Sequence, residues 1–399
     1  MYQQFFISAI EQLKQENRYR KFVNISRLCG QFPYAINNDN QQKIIVWCSN
    51  DYLGMGQNQS SINLTKEALE KYGIGAGGTR NISGNNKPLV ELENTVALLH
   101  NKEKAIICSS GYITNDTAVQ TLSHIIPNLI IFSDAKNHAS IIAGIRNSKA
   151  KKHIFSHNNL TELEKQLKLY SVQQPKLIIF ESVYSMDGDF GDIYGIVELA
   201  KKYQALTYID EVHAVGIYGN GSGLSKQLNL NQEIDFIQGT FGKAFGVFGG
   251  YLTGDQISID AIRSYASGFI FSTAMPPAFA VGIRENILHL QQSKKEREVL
   301  FNNVSYLKQK LQQANIKIFN NQSHIVSVMV GNAYKAEQIS SNLLNKHNIY
   351  VQHINYPTVE KNDERLRITA TSLHNFAMID ELVFALQQAI LFATPISTN

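Results

Sequence analysis

Between residues 100 and 240 the chain repeats one pattern: short, β-rich apolar runs separated by longer amphipathic stretches. The runs at 105–108, 129–132, 153–155, 177–180, 206–209 and 236–237 are too short for helices and rich in Ile, Leu and Phe, which predicts strands. The stretches 87–99, 160–169 and 195–203 space their apolar residues at helical intervals. Strand and helix in alternation predict an α/β fold, a largely parallel, doubly wound sheet with helices on both faces. Ahead of it, residues 3–19 predict an amphipathic helix with Phe5, Phe6, Ala9, Ile10 and Leu13 on one face. The polar run 37–42 reads as a hairpin or loop before a strand at 43–48, and a helix around 66–70 precedes the glycine-rich segment 73–84. Past Pro276-Pro277 the pattern changes. One long helix over 280–314, strands at 316–319 and 324–330, a helix, a strand at 349–352 and a final helix at 378–392 predict a smaller α+β domain. The expected division is an N-terminal helix and hairpin (1–45), a large domain (46–280) and a small C-terminal domain (281–399).

Composition narrows the class of molecule only slightly. Apolar residues make up 44% of the 399 and charged residues 18%, the balance of an ordinary globular protein. A net charge of +4 suits anionic small ligands, and basic residues are not interleaved with aromatics on any stretch, so no nucleic-acid partner is expected. Three cysteines without metal-ligand spacing predict no structural metal and a reducing compartment. Glu11, Lys14 and Glu16 interrupt the N-terminal apolar residues, unlike a secretory signal, and no apolar run reaches the length of a membrane span. The expectation is a cytoplasmic protein with no membrane partner.

Chemistry concentrates in the stretch 235–250, where Lys243 sits among five glycines just after the sixth predicted strand. A lysine desolvated in such a turn becomes a usable nucleophile or base, and its natural partner is an aldehyde, pyridoxal 5'-phosphate (PLP) being the commonest such cofactor. In an open parallel sheet, ligands bind beyond the carboxyl ends of the strands. Polar residues stand at those ends: Ser109-Ser110-Gly111, Ser133-Asp134 with Asn137-His138, Glu181-Ser182, Asp210-Glu211-Val212-His213, and Thr240 with Lys243. Asp210, closing an apolar strand, suits a pyridine nitrogen that must stay protonated. His213 is three residues from it and could reach the ring oxygen, and His138 could stack on the ring. Ser110, Gly111 and Tyr112 at a helix start, with Thr240, offer a phosphate cradle. Taken singly, Asp210 reads as a helix cap, His138 as a structural histidine and Ser110-Gly111 as a turn. Their occurrence together on successive strand ends points to a PLP enzyme.

Asp210-Glu-Val-His-Ala-Val-Gly and Gly239-Thr-Phe-Gly-Lys-Ala-Phe-Gly resemble the α-oxoamine synthases, fold type I PLP-dependent transferases that join an amino acid to an acyl-CoA. Asn17-Arg-Tyr-Arg, the stretch 46–56, Glu181-Ser-Val-Tyr-Ser-Met-Asp-Gly and the stretch 268–277 carry the same resemblance. Thr79-Arg-Asn-Ile-Ser-Gly is similar to the aminolevulinate branch in particular. The resemblance implies a large domain with a mostly parallel seven-stranded sheet, PLP as cofactor, glycine and succinyl-CoA as substrates, and condensation with loss of carbon dioxide in tetrapyrrole and haem synthesis. It also implies a homodimer with active sites at the subunit interface. By the same resemblance Lys243 is the Schiff-base lysine, Asp210 the pyridinium partner, His213 the phenolic-oxygen ligand and His138 the stacking residue. Ser185 and Thr273 match further cofactor contacts, Thr273 from the second subunit. Arg20, Thr79, Asn81 and Lys152 match positions facing the acyl-CoA, Asn50 and Arg367 positions near substrate carboxylates, and Ser133 and Glu181 substrate-side positions. Arg20 and Arg367 also have an independent chemical rationale, since a guanidinium holds a carboxylate bidentately. From the residues alone Arg367 equally suits an ion pair with Asp363 or Glu364. The alternatives are another member of the family with a different amino acid and acyl group, and a non-catalytic relative acting as a scaffold. Phe241 departs from the smaller residue common at its place.

Overall fold

The computed structural model describes residues 2–393. Within them the chain divides into two compact units, residues 53–185 with 190–294, and residues 2–52 with 186–189 and 295–393. The division differs from the three-part expectation chiefly in joining the N-terminal segment to the C-terminal one.

The second unit begins with β1 (Ile25–Arg27), β2 (Tyr34–Asn37) and β3 (Gln42–Val46), an antiparallel meander whose last two strands form the hairpin expected around 37–42. The other unit holds β4 (Lys104–Cys108), β5 (Ile130–Asp134), β6 (Lys151–Phe155), β7 (Lys176–Glu181), β8 (Leu206–Asp210), β9 (Phe236–Thr240) and β10 (Gly250–Gly254). They form one seven-stranded sheet in the order β4-β10-β9-β8-β7-β5-β6. Neighbours among β5 to β9 pair parallel, while β10 runs antiparallel to both β4 and β9. Every residue of β5, β7 and β9 is buried, as expected of parallel strands covered on both faces. The edge strand β6 instead exposes Lys151 and Lys152, charges that discourage pairing with another chain. Ile106, Ile131, Ile179, Tyr208 and Phe236 of the sheet pack with Val119, Leu122, Ile141, Ile259 and Ile262 from three helices to form the core.

In the remaining unit, β11 (Ile325–Met329), β13 (Gln352–Ile354) and β14 (Arg365–Thr369) form a small antiparallel sheet, and β12 (Ile349–Tyr350) adds in parallel to β3. The strand expected at 349–352 is thus two strands serving two sheets. The stretch 316–319 is no strand, making only a single bridge from Ile318 to Val328. The long helix expected over 280–314 is two helices, Pro277–Gln292 and Lys295–Gln313. Ser293 is extended (φ −94°, ψ 136°) in a polar run at 291–296 that offers no apolar side chain to hold a continuous helix in place. The N-terminal helix Tyr2–Gln15 forms as expected and buries none of its residues. No helix among the described residues is long and apolar enough to cross a membrane.

Candidate active site

Parallel register brings the chemistry to one edge of the large sheet. Glu181 at the end of β7 pairs with Asp210 at the end of β8, and Thr240 ends β9 opposite Gly250, the first residue of β10. The helix Gly111–Ile125 starts at the same edge. A Cβ on Gly250 would lie 2.5 Å from the Gly111 nitrogen, so only glycine lets the strand and helix start meet. Gly111 in turn lies 3.4 Å (as an ideal Cβ) from the Thr240 side chain. Ser110 caps this helix by accepting from the Ile113 N–H at 3.1 Å. Ser110, Gly111 and Tyr112 at the helix start, where backbone N–H groups lack intrahelical partners, thus stand at the sheet edge that Thr240 closes.

Lys243 lies on the connection from β9 to β10. That connection is pinned by Phe241 N–H to the Gly249 carbonyl at 3.0 Å, Val247 N–H to the Phe241 carbonyl at 2.9 Å, and Gly246 N–H to the Lys243 carbonyl at 2.8 Å. Gly246 has φ +74°, and a Cβ there would sit 2.0 Å from the Gly56 nitrogen, so this turn accepts no other residue without strain. Phe241, Ala244 and Phe245 are buried around a part-exposed Lys243. Phe241, the one departure from the family pattern, is buried with its ring tilted against that of Tyr251, centroids 5.0 Å apart.

Asp210 is 2% exposed and accepts from the Val212 N–H at 2.9 Å and from the Asn115 amide at 2.7 Å. Both donors are neutral, which leaves a buried carboxylate suited to a further, cationic N–H donor. His138 caps the helix Ala139–Ser148, its Nδ1 accepting from the Ser140 N–H at 3.2 Å, and its ring lies edge-on to Tyr112 at 6.4 Å. Burial, against the pull of Asp210 and helped by the Lys243 charge, holds the His138 imidazole below its ordinary pKa. Glu181 accepts the His138 backbone N–H. Burial first, then the Asp210 charge, pushes its carboxyl well above the usual range, against that hydrogen bond and the charge of Lys243. Lys243, Asp210, His138 and Glu181 thus feel one another's charge. His213 is 5% exposed on the turn after β8, and the Glu211 carboxylate between them is taken by the Leu224 and Ser225 N–H groups.

Other predicted residues fall elsewhere. Ser133 is 1% exposed and accepts from the Asn137 amide at 2.9 Å, a brace inside the sheet edge. Lys152 is exposed on edge strand β6, three strands from β8. Thr79 and Thr273 bridge each other antiparallel, with Ala274 N–H to the Gly78 carbonyl at 3.0 Å and Thr79 hydroxyl to Asn81 at 2.6 Å. Ser185 closes the segment after β7, and the following Asp187 belongs to the other unit, ion-paired there with the fully buried Arg365. In that same unit Arg367 donates to Asn50 Oδ1 and to the Tyr52 hydroxyl, each at 3.0 Å. The Asp363 ion pair open to Arg367 from the sequence is made by Arg365 instead, at 3.0 Å. Arg20 is exposed beyond the N-terminal helix. Sequence reasoning missed Asn115. Its signal was a polar side chain one turn into a helix, between Thr114 and Thr117, on a face that turns out to be buried.

The chain belongs to the class I and II aminotransferase family, whose model matches residues 42–386. Within it the similarity is to 5-aminolevulinate synthases. The chain is 51% identical to that of Rhizobium meliloti (strain 1021) over 96% of each chain, and 48% identical to that of Rickettsia bellii (strain RML369-C) over 97% of this chain and 93% of the relative. A serine palmitoyltransferase from S. paucimobilis, solved with a bound PLP–myriocin aldimine, superposes with a TM-score of 0.88 at 28% identity over 96% of each chain.

Proposed function

We propose that the chain is a PLP-dependent acyltransferase that condenses glycine with succinyl-CoA and releases carbon dioxide and CoA to give 5-aminolevulinate, the entry step of haem synthesis. The observation that carries this reading is the similarity to 5-aminolevulinate synthases along 96–97% of the chain. The residues at the sheet edge fit the cofactor. Asp210 is a buried carboxylate that accepts from the neutral Val212 N–H and Asn115 amide, and the start of the helix Gly111–Ile125 has no room for a side chain on Gly250. When bound, PLP supplies an aldehyde that joins an amine covalently and a protonated ring that draws electrons from the attached carbon.

The chain's own residues do the rest. The N–H groups at Gly111 and Tyr112, with the Ser110 and Thr240 hydroxyls, hold the phosphate. Asp210 keeps the proton on the ring nitrogen, His213 donates to the ring oxygen, His138 covers one ring face, and Ser185 adds a polar contact. The Lys243 amine anchors the cofactor and, once released, takes the α-proton of glycine at its Nζ. Glu181, biased by burial toward its proton-bearing form, presents a donor rather than a charge to the substrate side. Arg367, already forked between Asn50 and Tyr52, and Arg20 supply the guanidinium groups for the carboxylates of glycine and the succinyl tail. Thr79 and Asn81 line the acyl-CoA side, and Lys152 meets the nucleotide end. A homodimer would complete each site, with exposed Thr273 reaching the partner's phosphate.

Purified protein with PLP, glycine and succinyl-CoA should form 5-aminolevulinate, and Lys243→Ala should lose about a thousandfold or more in kcat. Full activity in that variant, or a preference for acetyl-CoA over succinyl-CoA, would overturn the reading.

A further inference from the structure

Four buried polar groups, Tyr208, Asn115, Asp210 and Ser140, form one chain of hydrogen bonds with His138 at the sheet edge. Tyr208, 0% exposed in β8, places its hydroxyl 2.8 Å from Asn115 Oδ1. The Asn115 amide nitrogen lies 2.7 Å from Asp210 Oδ2 and 3.0 Å from Ser140 Oγ. Ser140 Oγ lies 2.8 Å from His138 Nδ1, which the Ser140 N–H also approaches at 3.2 Å. The donors and acceptors can be assigned from one end to the other. An ionised carboxylate only accepts, so the group facing Asp210 must be the Asn115 NH2. The opposite amide orientation would set two oxygens 2.7 Å apart. The NH2 has two hydrogens, and the second goes to Ser140 Oγ. Asn115 Oδ1 then faces Tyr208, whose hydroxyl donates. Ser140, having accepted, turns its own hydrogen toward His138 Nδ1. That nitrogen meets two donors, the Ser140 hydroxyl and the Ser140 N–H, and carries no proton of its own. The proton of the neutral imidazole is therefore on Nε2.

We infer that Asn115, ordered by Tyr208, is a positioning residue that fixes two cofactor-facing groups at once, the rotamer of Asp210 and, through Ser140, the Nε2–H tautomer of His138. Asp210 and Tyr208 are two apart on β8 and share a face, so the phenol and the carboxylate grip Asn115 from the same strand. The helix that offers its N-terminus to a phosphate is thereby registered against the strand that offers its carboxylate to the ring. One side chain sets the spacing between the two ends of the bound group.

The inference rests on the PLP reading for its consequence but not for its geometry, and the test separates the two. Apo wild-type protein labelled with 15N-histidine is expected to give an Nε2–H pattern for His138, identified by its loss in His138→Gln. Asn115→Leu, nearly the same size without donors, should give a mixed tautomer and bind PLP about tenfold more weakly, the worth of one lost hydrogen bond to a charged group. Tyr208→Phe, which removes one buried hydroxyl and leaves the packing, should give a smaller loss of about threefold in PLP affinity. Should Asn115→Leu fail to fold, Tyr208→Phe and Ser140→Ala carry the test by the same two readings. An Nδ1–H pattern in the wild type, or folded variants with unchanged tautomer and unchanged PLP affinity, would overturn the inference. Wild-type protein that takes up no PLP while keeping the Nε2–H tautomer would sink the cofactor reading and leave the hydrogen-bond assignment standing.

Discussion

Gly250 has normal extended backbone available to any residue, and what forbids a side chain there is distance. An added methyl would meet the Gly111 nitrogen at 2.5 Å, Gly111 Cα at 2.6 Å and the Ser110 carbonyl carbon at 2.6 Å, all backbone atoms that cannot rotate away. The N–H groups of this helix start are the ones expected to hold a phosphate. Gly250→Ala should therefore push the helix start outward, cost about 1–3 kcal/mol of stability, and weaken PLP binding about tenfold. Pyridoxal without phosphate has nothing to lose at this helix, so its weaker affinity should barely change. Equal losses for the two ligands in a fluorescence titration would show that the defect is not at the phosphate end. Gly246 in the lysine turn makes the complementary case, since it needs both a positive φ and the close approach of Gly56. The glycines around Lys243 are consequently a matter of fit as well as of freedom.

Among the elements, the turn 77–84 is tied to the helix Lys87–His100 through one side chain, besides its own backbone hydrogen bonds and its bridge to Thr273. Arg80 donates to both oxygens of Glu93 (2.6 and 2.9 Å) and to Asn85 Oδ1, and lies over the Phe269 ring at 5.5 Å. Glu93 also accepts the Ile107 N–H of β4, so the turn is tied to the central sheet through one nearly buried ion pair. A lysine cannot reproduce the two-pronged contact. Arg80→Lys is expected to loosen Thr79 and Asn81, raise KM for succinyl-CoA about tenfold, and leave PLP affinity near wild type. A fall in kcat without a change in KM would contradict the role given to this turn. The strands β4, β5, β7, β8 and β9 were legible in the chain because each is a largely buried apolar run, and the exposed edge strand β6 by its short His-Ile-Phe run. β10 was not, because Gly250-Tyr-Leu-Thr-Gly254 is bracketed by glycines needed for close approach rather than for turning. β14 was hidden by Arg365 and Arg367, two charges in a strand whose five residues are all buried. Asp363 beside Arg365 is a local partner, but Asp187, Asn50 and Tyr52, which bury the two charges, are far off in sequence. Asn115 escaped notice for the same reason. Lys243, Asp210, His213 and His138 stood out as candidates because strand ends and motif order are local, whereas the Tyr208–Asn115–Ser140 link exists only once the sheet has formed.

At the scale of the whole molecule, the polar interior sets how stability responds to acid. His100, in the unit of the large sheet, and His324 and His374, in the other, are each held at a pKa of about 3, with burial the leading cause. An unfolded histidine takes up a proton near pH 6.5, and these three cannot while folded. Their contribution is therefore complete above pH 6.5 and lost as pH falls toward 3, by about 1.4 kcal/mol per pH unit for each. Glu181 and Glu211 pull the other way. Burial raises both, so each lowers stability as pH rises above the ordinary carboxylate range, and the slope of the intact chain mixes the two effects. One replacement isolates a single histidine. His374 Nδ1 accepts the Thr371 N–H at 3.0 Å, and its ring lies 3.9 Å from that of Trp47. Asparagine places an oxygen close to the Nδ1 position, keeps that hydrogen bond and does not titrate. Relative to His374→Asn, the wild type should lose about 2 kcal/mol between pH 6.5 and 5 in urea melts of the apo protein, whatever the absolute difference at pH 7. If the two stability curves run parallel over that interval, His374 is not held neutral by burial, and the acid response of the chain lies with its carboxylates.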